Sequence, residues 1–179
     1  MHHIADSEYE EVVTDIQAVY EALQTSYKGT MPIRFYNDAF PLSKLYSIET
    51  KMEELFAKKV HLKSGANLII EYTEAMTVID VNTAKCITKK DKDSLIYKIN
   101  LEAAQEIARQ LRLRNLSGII IVDFINMEEE SYNERLLDLL KVLAAKDRIP
   151  VNVVDMTGLK LVELTRKKVK KPLHEMIAE

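Results

Sequence analysis

The run GIIIVDF at 118–124 constrains the fold more than any other segment. It holds no polar side chain until Asp123, and such a run reads as a strand in the interior of a sheet, buried on both faces. Helical periodicity flanks it. Leu95, Ile99, Ala103, Ile107 and Leu111 keep one register from Ser94 to Arg114, an element about 30 Å long. Asn115 and Gly118 are its stop signals. A second helix near 129–146 uses Leu136, Leu139, Leu140 and Leu143. Before the long helix, LIIEY at 68–72 and MTVIDVN at 76–82 are extended runs separated by Thr73, Glu74 and Ala75, a length that suits a hairpin. After the second helix come the strands VNVV at 151–154 and LKLVEL at 159–164. This order predicts an α+β domain, a mixed β-sheet flanked by helices, from about residue 60 to 166.

The chain ahead of it reads differently. Val12, Val13, Ile16, Val19, Tyr20 and Leu23 recur at helical spacing, predicting a helix from Tyr9 to Ala22, capped by Asp6 or Ser7 and ended by Gly29. IRFY at 33–36 is a short strand. A helix over 46–58 sets Ile48, Met52, Leu55 and Phe56 on one face. The expected division is a helix-rich piece at 1–59 and a sheet domain at 60–179.

Composition removes several classes of function. A single cysteine among 179 residues excludes an internal disulfide and any multi-cysteine zinc site, and it fits a reducing, cytoplasmic setting. No run of apolar residues is long enough to span a membrane, and no export signal opens the chain. The four glycines, Gly29, Gly65, Gly118 and Gly158, form neither GxGxxG nor a phosphate-binding GxxxxGK[ST] loop. Cys86 has no nearby histidine, so it reads as a packing residue, and His2, His3, His61 and His174 lack metal-ligand spacing. The net charge of −3 conceals segregation: residues 1–30 are acidic, whereas 166–171 reads RKKVKK. That run is either a solvated, fraying tail or part of a track for a polyanion. Arg109, Arg112 and Arg114, at the end of the long helix, either answer the helix dipole or join Lys85, Lys89, Lys90 and the tail bases in that track.

Two acids carry the chemistry. Asp80 follows the apolar run TVI and Asp123 follows GIIIV, each late in a predicted inner strand, where a carboxylate is costly unless paired, hydrogen-bonded or metal-bound. If the strands are neighbours in register, the carboxylates converge and repel unless a cation lies between them. An oxygen-only donor set suits Mg²⁺ or Mn²⁺. The competing reading is two unrelated strand-end acids that cap nearby backbone. Asn82, two residues past Asp80, shares its face by strand periodicity; it either orients that carboxylate or forms a turn. Asn126 and Glu128 are explained by capping of the following helix.

TEAMTVIDVNTAK at 73–85, NLEAAQEIARQLRLRNLSGIIIVDFINM at 100–127 and LKLVELTRKK at 159–168 resemble the central catalytic region of the ribonuclease E/G family of bacterial endoribonucleases. The likeness covers roughly residues 30–175, with YSIETKMEELFAKKVHLKSGANLIIE resembling the passage from an RNase H-like to a deoxyribonuclease I-like subdomain. The resemblance implies that 1–59 is a partial RNase H-like segment and 60–179 the deoxyribonuclease I-like subdomain. It implies that Asp80 and Asp123 ligate a catalytic Mg²⁺, with Mn²⁺ as substitute, that Asn82 supports them, and that single-stranded RNA is cut to leave a 5′-phosphate. Arg109, Arg112, Arg166 and Lys167 become the candidates for RNA contact, Arg166 matching a family arginine close to the site. Asn126 stands where relatives often carry a further aspartate. The family's zinc-binding CxxC link, oligonucleotide-binding barrel and 5′-phosphate sensor are not matched. The expectations are therefore a zinc-free catalytic piece that cleaves weakly alone, from a homo-oligomeric parent, or else a non-catalytic RNA-binding or scaffolding fragment.

Overall fold

A computed structural model of the chain describes residues 10–83 and 92–177. Lys85, Cys86, Lys89 and Lys90, like the helix-capping residues Asp6 and Ser7, lie outside the described residues. The chain divides into two compact units, 1–53 and 54–179.

The first unit departs from the helical reading at its start. Val12–Thr14 is a strand, β1, and it pairs in parallel with β2, Ile33–Phe35. The helix α1, Gln17–Ser26, begins only after it, because the backbone is still extended at Ile16 and its N–H is taken by the Thr14 hydroxyl at 3.2 Å. β-Branched Val12, Val13 and Thr14 favour the extended state, so a pattern compatible with either period resolves as strand then helix. Tyr20 of α1 packs on Phe35 with ring centroids 5.5 Å apart. The helix expected at 46–58 is α3 (Ile48–Phe56); a short α2 (Leu42–Leu45), not anticipated from the sequence, precedes it, and Ser47 takes a left-handed φ of 51° between the two. α3 buries no residue fully.

The second unit holds a mixed six-stranded sheet and two long helices, the α+β architecture expected. Its strands are β3 (Lys59–His61), β4 (Ala66–Tyr72), β5 (Met76–Thr83), β6 (Gly118–Asp123), β7 (Val151–Met156) and β8 (Leu161–Arg166), in the spatial order β3-β4-β5-β6-β8-β7. Only β5 and β6 are parallel. A parallel neighbour requires a crossover, and the long helix α4, Lys92–Leu113, lies in that connection. α5, Glu130–Ala145, follows β6, and a short α6, Leu173–Ile177, closes the described chain. α4 ends as its sequence indicates: Asn115 adopts φ 48°, and Leu116 N–H reaches back to Leu111 O at 3.0 Å.

The core forms where one sheet face meets α4 and α5. Leu68, Ile70, Ile79, Val81, Ile120, Val122, Val162 and Leu164 are sealed against Ile99, Ala103, Ile107, Leu111, Leu136 and Leu140. Each valine, leucine or isoleucine among them contributes roughly 1.5–3 kcal/mol relative to exposure. Strand alternation turns Val78, Asp80, Ile119, Ile121, Asp123 and Glu163 to the other face. GIIIVDF is therefore not buried on both faces: Ile120 is sealed, while Ile119 stays 47% exposed. Both long helices pack on one face, which leaves the other as a surface with an apolar centre.

Candidate functional site

Asp80 and Asp123 meet in the structure. They are register partners across the parallel β5–β6 pair, at its carboxyl-terminal end and on the same open face. Strand spacing sets their Cα atoms about 5 Å apart. Ligand sites in open sheets gather beyond such strand ends. Asp80 is half-buried and accepts a hydrogen bond of 2.5 Å from Asn82 Nδ2, so Asn82 fixes one carboxylate oxygen of its neighbour on the strand. Burial first, and the adjacent Asp80 carboxylate second, push Asp123 above its ordinary value of 3.8. Two anions so placed form an incomplete centre that a cation would neutralise. Among the described residues no cluster of three or more His, Cys, Asp and Glu surrounds a common point. The donor set is thus two carboxylates and open space, which fits Mg²⁺ or Mn²⁺ keeping several waters and does not fit a protein-caged ion.

The sign of that shift gives an expected result. A raised carboxyl value means the folded state holds the proton more tightly, so the stability it confers is present below about pH 3.8 and is lost as pH rises through the folded value. In a chelator at pH 7, Asp123→Asn should melt higher than the parent chain, by about 1–2 °C since the group is partly screened by solvent. The difference should vanish near pH 3. Equal melting of the two proteins at pH 7 would show that the carboxylates do not strain the metal-free site.

A side chain missed in the sequence holds Asp123 in place. Asn100, fully buried in the middle of α4, donates to Ile125 O at 2.8 Å and accepts from Ile125 N–H at 3.2 Å, bracketing the backbone just past Asp123. Asp93, in the first turn of α4, accepts from the N–H groups of Glu128 and Glu129 at 2.9–3.2 Å. The loop leaving the aspartate is thereby pinned to α4 twice. The available signal was an asparagine at a position of α4 that the apolar periodicity assigns to the core. Asn100→Ala strands the Ile125 amide and should cost about 1–3 kcal/mol. It should also weaken Mn²⁺ binding several-fold in titration calorimetry. Unchanged stability and affinity would refute the bracket.

The cations predicted to contact RNA do not assemble at the carboxylates. Because β8 runs antiparallel to β6, Arg166 lies beside Gly118, about 17 Å along the strand from Asp123, and on the core face. Its side chain is 3% exposed, paired with Asp147 at 3.0 Å and donating to Asn115 Oδ1 and Leu116 O. The guanidinium expected to contact phosphate is thus taken up by internal partners in this structure. Arg114 is buried as well, bonded to Gln110, Tyr72 and Ala57 O. Arg109 is exposed and paired with Glu106 at 2.8 Å, and Arg112 and Lys167 are exposed; all three belong to the end remote from the aspartates. Asn126 is exposed past Asp123.

With this geometry in view, comparison with known proteins assigns the class. Residues 1–169 match the ribonuclease E/G family, and the chain belongs to that family. Ribonuclease G of Escherichia coli (strain K12) is 38% identical over 99% of this chain and 37% of its own length. Ribonuclease G of Haemophilus influenzae is 41% identical over 80% of this chain and 29% of its own. Ribonuclease E of Buchnera aphidicola subsp. Acyrthosiphon pisum is 36% identical over 80% of this chain and 16% of its own. The chain therefore spans 37% or less of each of these relatives. No helix among the described residues is long and apolar enough to cross a membrane.

Proposed function

We propose that the chain carries the phosphodiester-cleaving centre of an endoribonuclease that acts on single-stranded RNA in the cytoplasm, with Mg²⁺ held by Asp80 and Asp123. The observation that supports this best is the in-register pairing of the two carboxylates at the end of the one parallel strand pair in the six-stranded sheet. Family membership supplies the substrate class. When bound, the ion would supply charge stabilisation to the scissile phosphate and acidify a water.

The chain's own residues provide the geometry. Asp80 and Asp123 present oxygen donors from two rigid strands; Asn82 holds the rotamer of the first, and Asn100 and Asp93 hold the backbone after the second. Placement on strands limits the drift of the donors, which is what in-line attack of water on phosphorus requires. Expulsion of the 3′ oxygen leaves a 5′-phosphate on the downstream product. A non-catalytic RNA-binding role is the second reading, favoured by the separation between the exposed cations and the carboxylates. Incubation of a 5′-monophosphorylated, unstructured RNA with the chain and Mg²⁺ separates the two. Slow scission into 5′-phosphorylated products supports the catalytic reading, and an intact RNA that is nevertheless bound supports the second.

A further inference from the structure

The open sheet face has a second feature at the end away from Asp123. A hollow of about 420 Å³ lies there, with Ile119, Pro150, Asn152, Thr165 and Lys167 on its walls. Ile119, Thr165 and Asn152 stand side by side on β6, β8 and β7 as successive register partners. All three are exposed. Gly118, at φ 84°, adds no side chain, and a Cβ there would meet nothing within 4 Å. The walls thus combine an apolar platform, an amide that both donates and accepts, a hydroxyl and a cation.

The cation comes from a held strap. Lys167 N–H donates to Pro150 O at 3.0 Å, Asn115 Nδ2 donates to the carbonyls of Lys170 and Lys171 at 3.1 and 3.0 Å, and Leu173 N–H donates to Arg114 O at 2.9 Å. RKKVKK is therefore not a fraying tail in the described residues. Its backbone is fixed while Lys167, Lys168 and Lys170 stay exposed, and none of these three joins an ion pair among the described residues.

We propose that this hollow is a nucleotide anchor: one base of single-stranded RNA sits on Ile119 and Pro150, with its edge toward Asn152 and Thr165 and an adjoining phosphate on Lys167. The ligand's identity rests on the endoribonuclease reading above. Amide and hydroxyl groups read the edges of splayed bases, and a lysine supplies a point charge for phosphate. Ile119 and Asp123 share a face of β6 and lie about 13 Å apart along it. A bound strand would thus reach the carboxylates within a few nucleotides. Glu163, opposite Ile121, places an anion on the β8 side of that path, so the strand would run over Val78 on the β5 side.

Fluorescence anisotropy with a short, unstructured oligoribonucleotide in chelator tests the anchor apart from cleavage. Asn152→Ala and Thr165→Val, both at exposed sites, should each weaken binding about five- to tenfold without changing its salt slope. Lys167→Gln should weaken binding and reduce that slope by about one. A base-free ribose-phosphate oligomer should ignore Asn152→Ala. Parental affinity in both Asn152→Ala and Thr165→Val overturns the anchor, as does equal loss for RNA and the base-free oligomer. If the parent chain cleaves RNA while those variants bind unchanged, the anchor alone falls; if the parent neither binds nor cleaves, the endoribonuclease reading falls with it.

Discussion

Asp123→Asn should lower Mg²⁺-supported cleavage of single-stranded RNA about a thousandfold or more and remove the stabilisation that divalent ions give the folded chain. In the proposed centre the carboxylate is one of two charged donors, so its amide would leave a single charged ligand for an ion. A ligand at a hundred times its Kd stabilises the native state by about 2.7 kcal/mol, an upward shift of several degrees in Tm. Asp80→Asn should behave alike, because the two residues are partners in one register row. The variant is expected to melt slightly above the parent in chelator and below it in saturating Mg²⁺. That crossing distinguishes a lost ligand from a damaged fold, which would lower both curves. Cleavage assays and melting with and without Mg²⁺ check it, and retention of the ion-induced shift in both variants would move the metal elsewhere.

Asp147→Ala should be the most damaging single change to stability. Asp147 and Arg166 have side chains 4% and 3% exposed, and the guanidinium makes contacts of 3.0 and 3.3 Å to the carboxylate. Removing the anion leaves a buried cation, at a cost on the order of 3–5 kcal/mol. For a domain of this size that is a fall in Tm of about 10 °C. The pair also secures the strap, because Arg166 directly precedes it and bonds the same Asn115 that holds Lys170 and Lys171. Thermal melting measures the loss, and a change below about 2 °C would mean that water reaches the guanidinium in solution. Arg166→Lys keeps the charge but loses the fork that bonds Asp147 and Leu116 O together, so it should recover only part of the stability.

Sequence and structure agree where one physical period dominates. The 3.6-residue register of α4, the hairpin of β4 and β5 and the extended state of β6 each follow from the sequence, whereas the parallel, in-register pairing of β5 with β6 that brings Asp80 and Asp123 together is a condition that the sequence left open. Val12–Thr14 was not legible in this way, since three apolar-leaning residues satisfy strand and helix alike and a parallel partner at Ile33–Phe35 decides between them. The open face was hidden too. Alternation is invisible in an unbroken run of isoleucines, and only the packing of both helices on one side exposes Ile119. Arg166 shows the limit of reading charge from a run: RKKVKK begins with a buried structural cation and continues as a displayed one. Asn100 was legible in principle, as an amide where α4 should be apolar.

The most direct measurement is a crystal structure of the chain grown with Mn²⁺, located by its anomalous signal. A single ion bonded to carboxylate oxygens of both Asp80 and Asp123 at about 2.1 Å, with the remaining positions filled by water, is the expected result. Full occupancy of an ion at any other site, with the two carboxylates turned away from each other and unligated, would contradict the proposed centre.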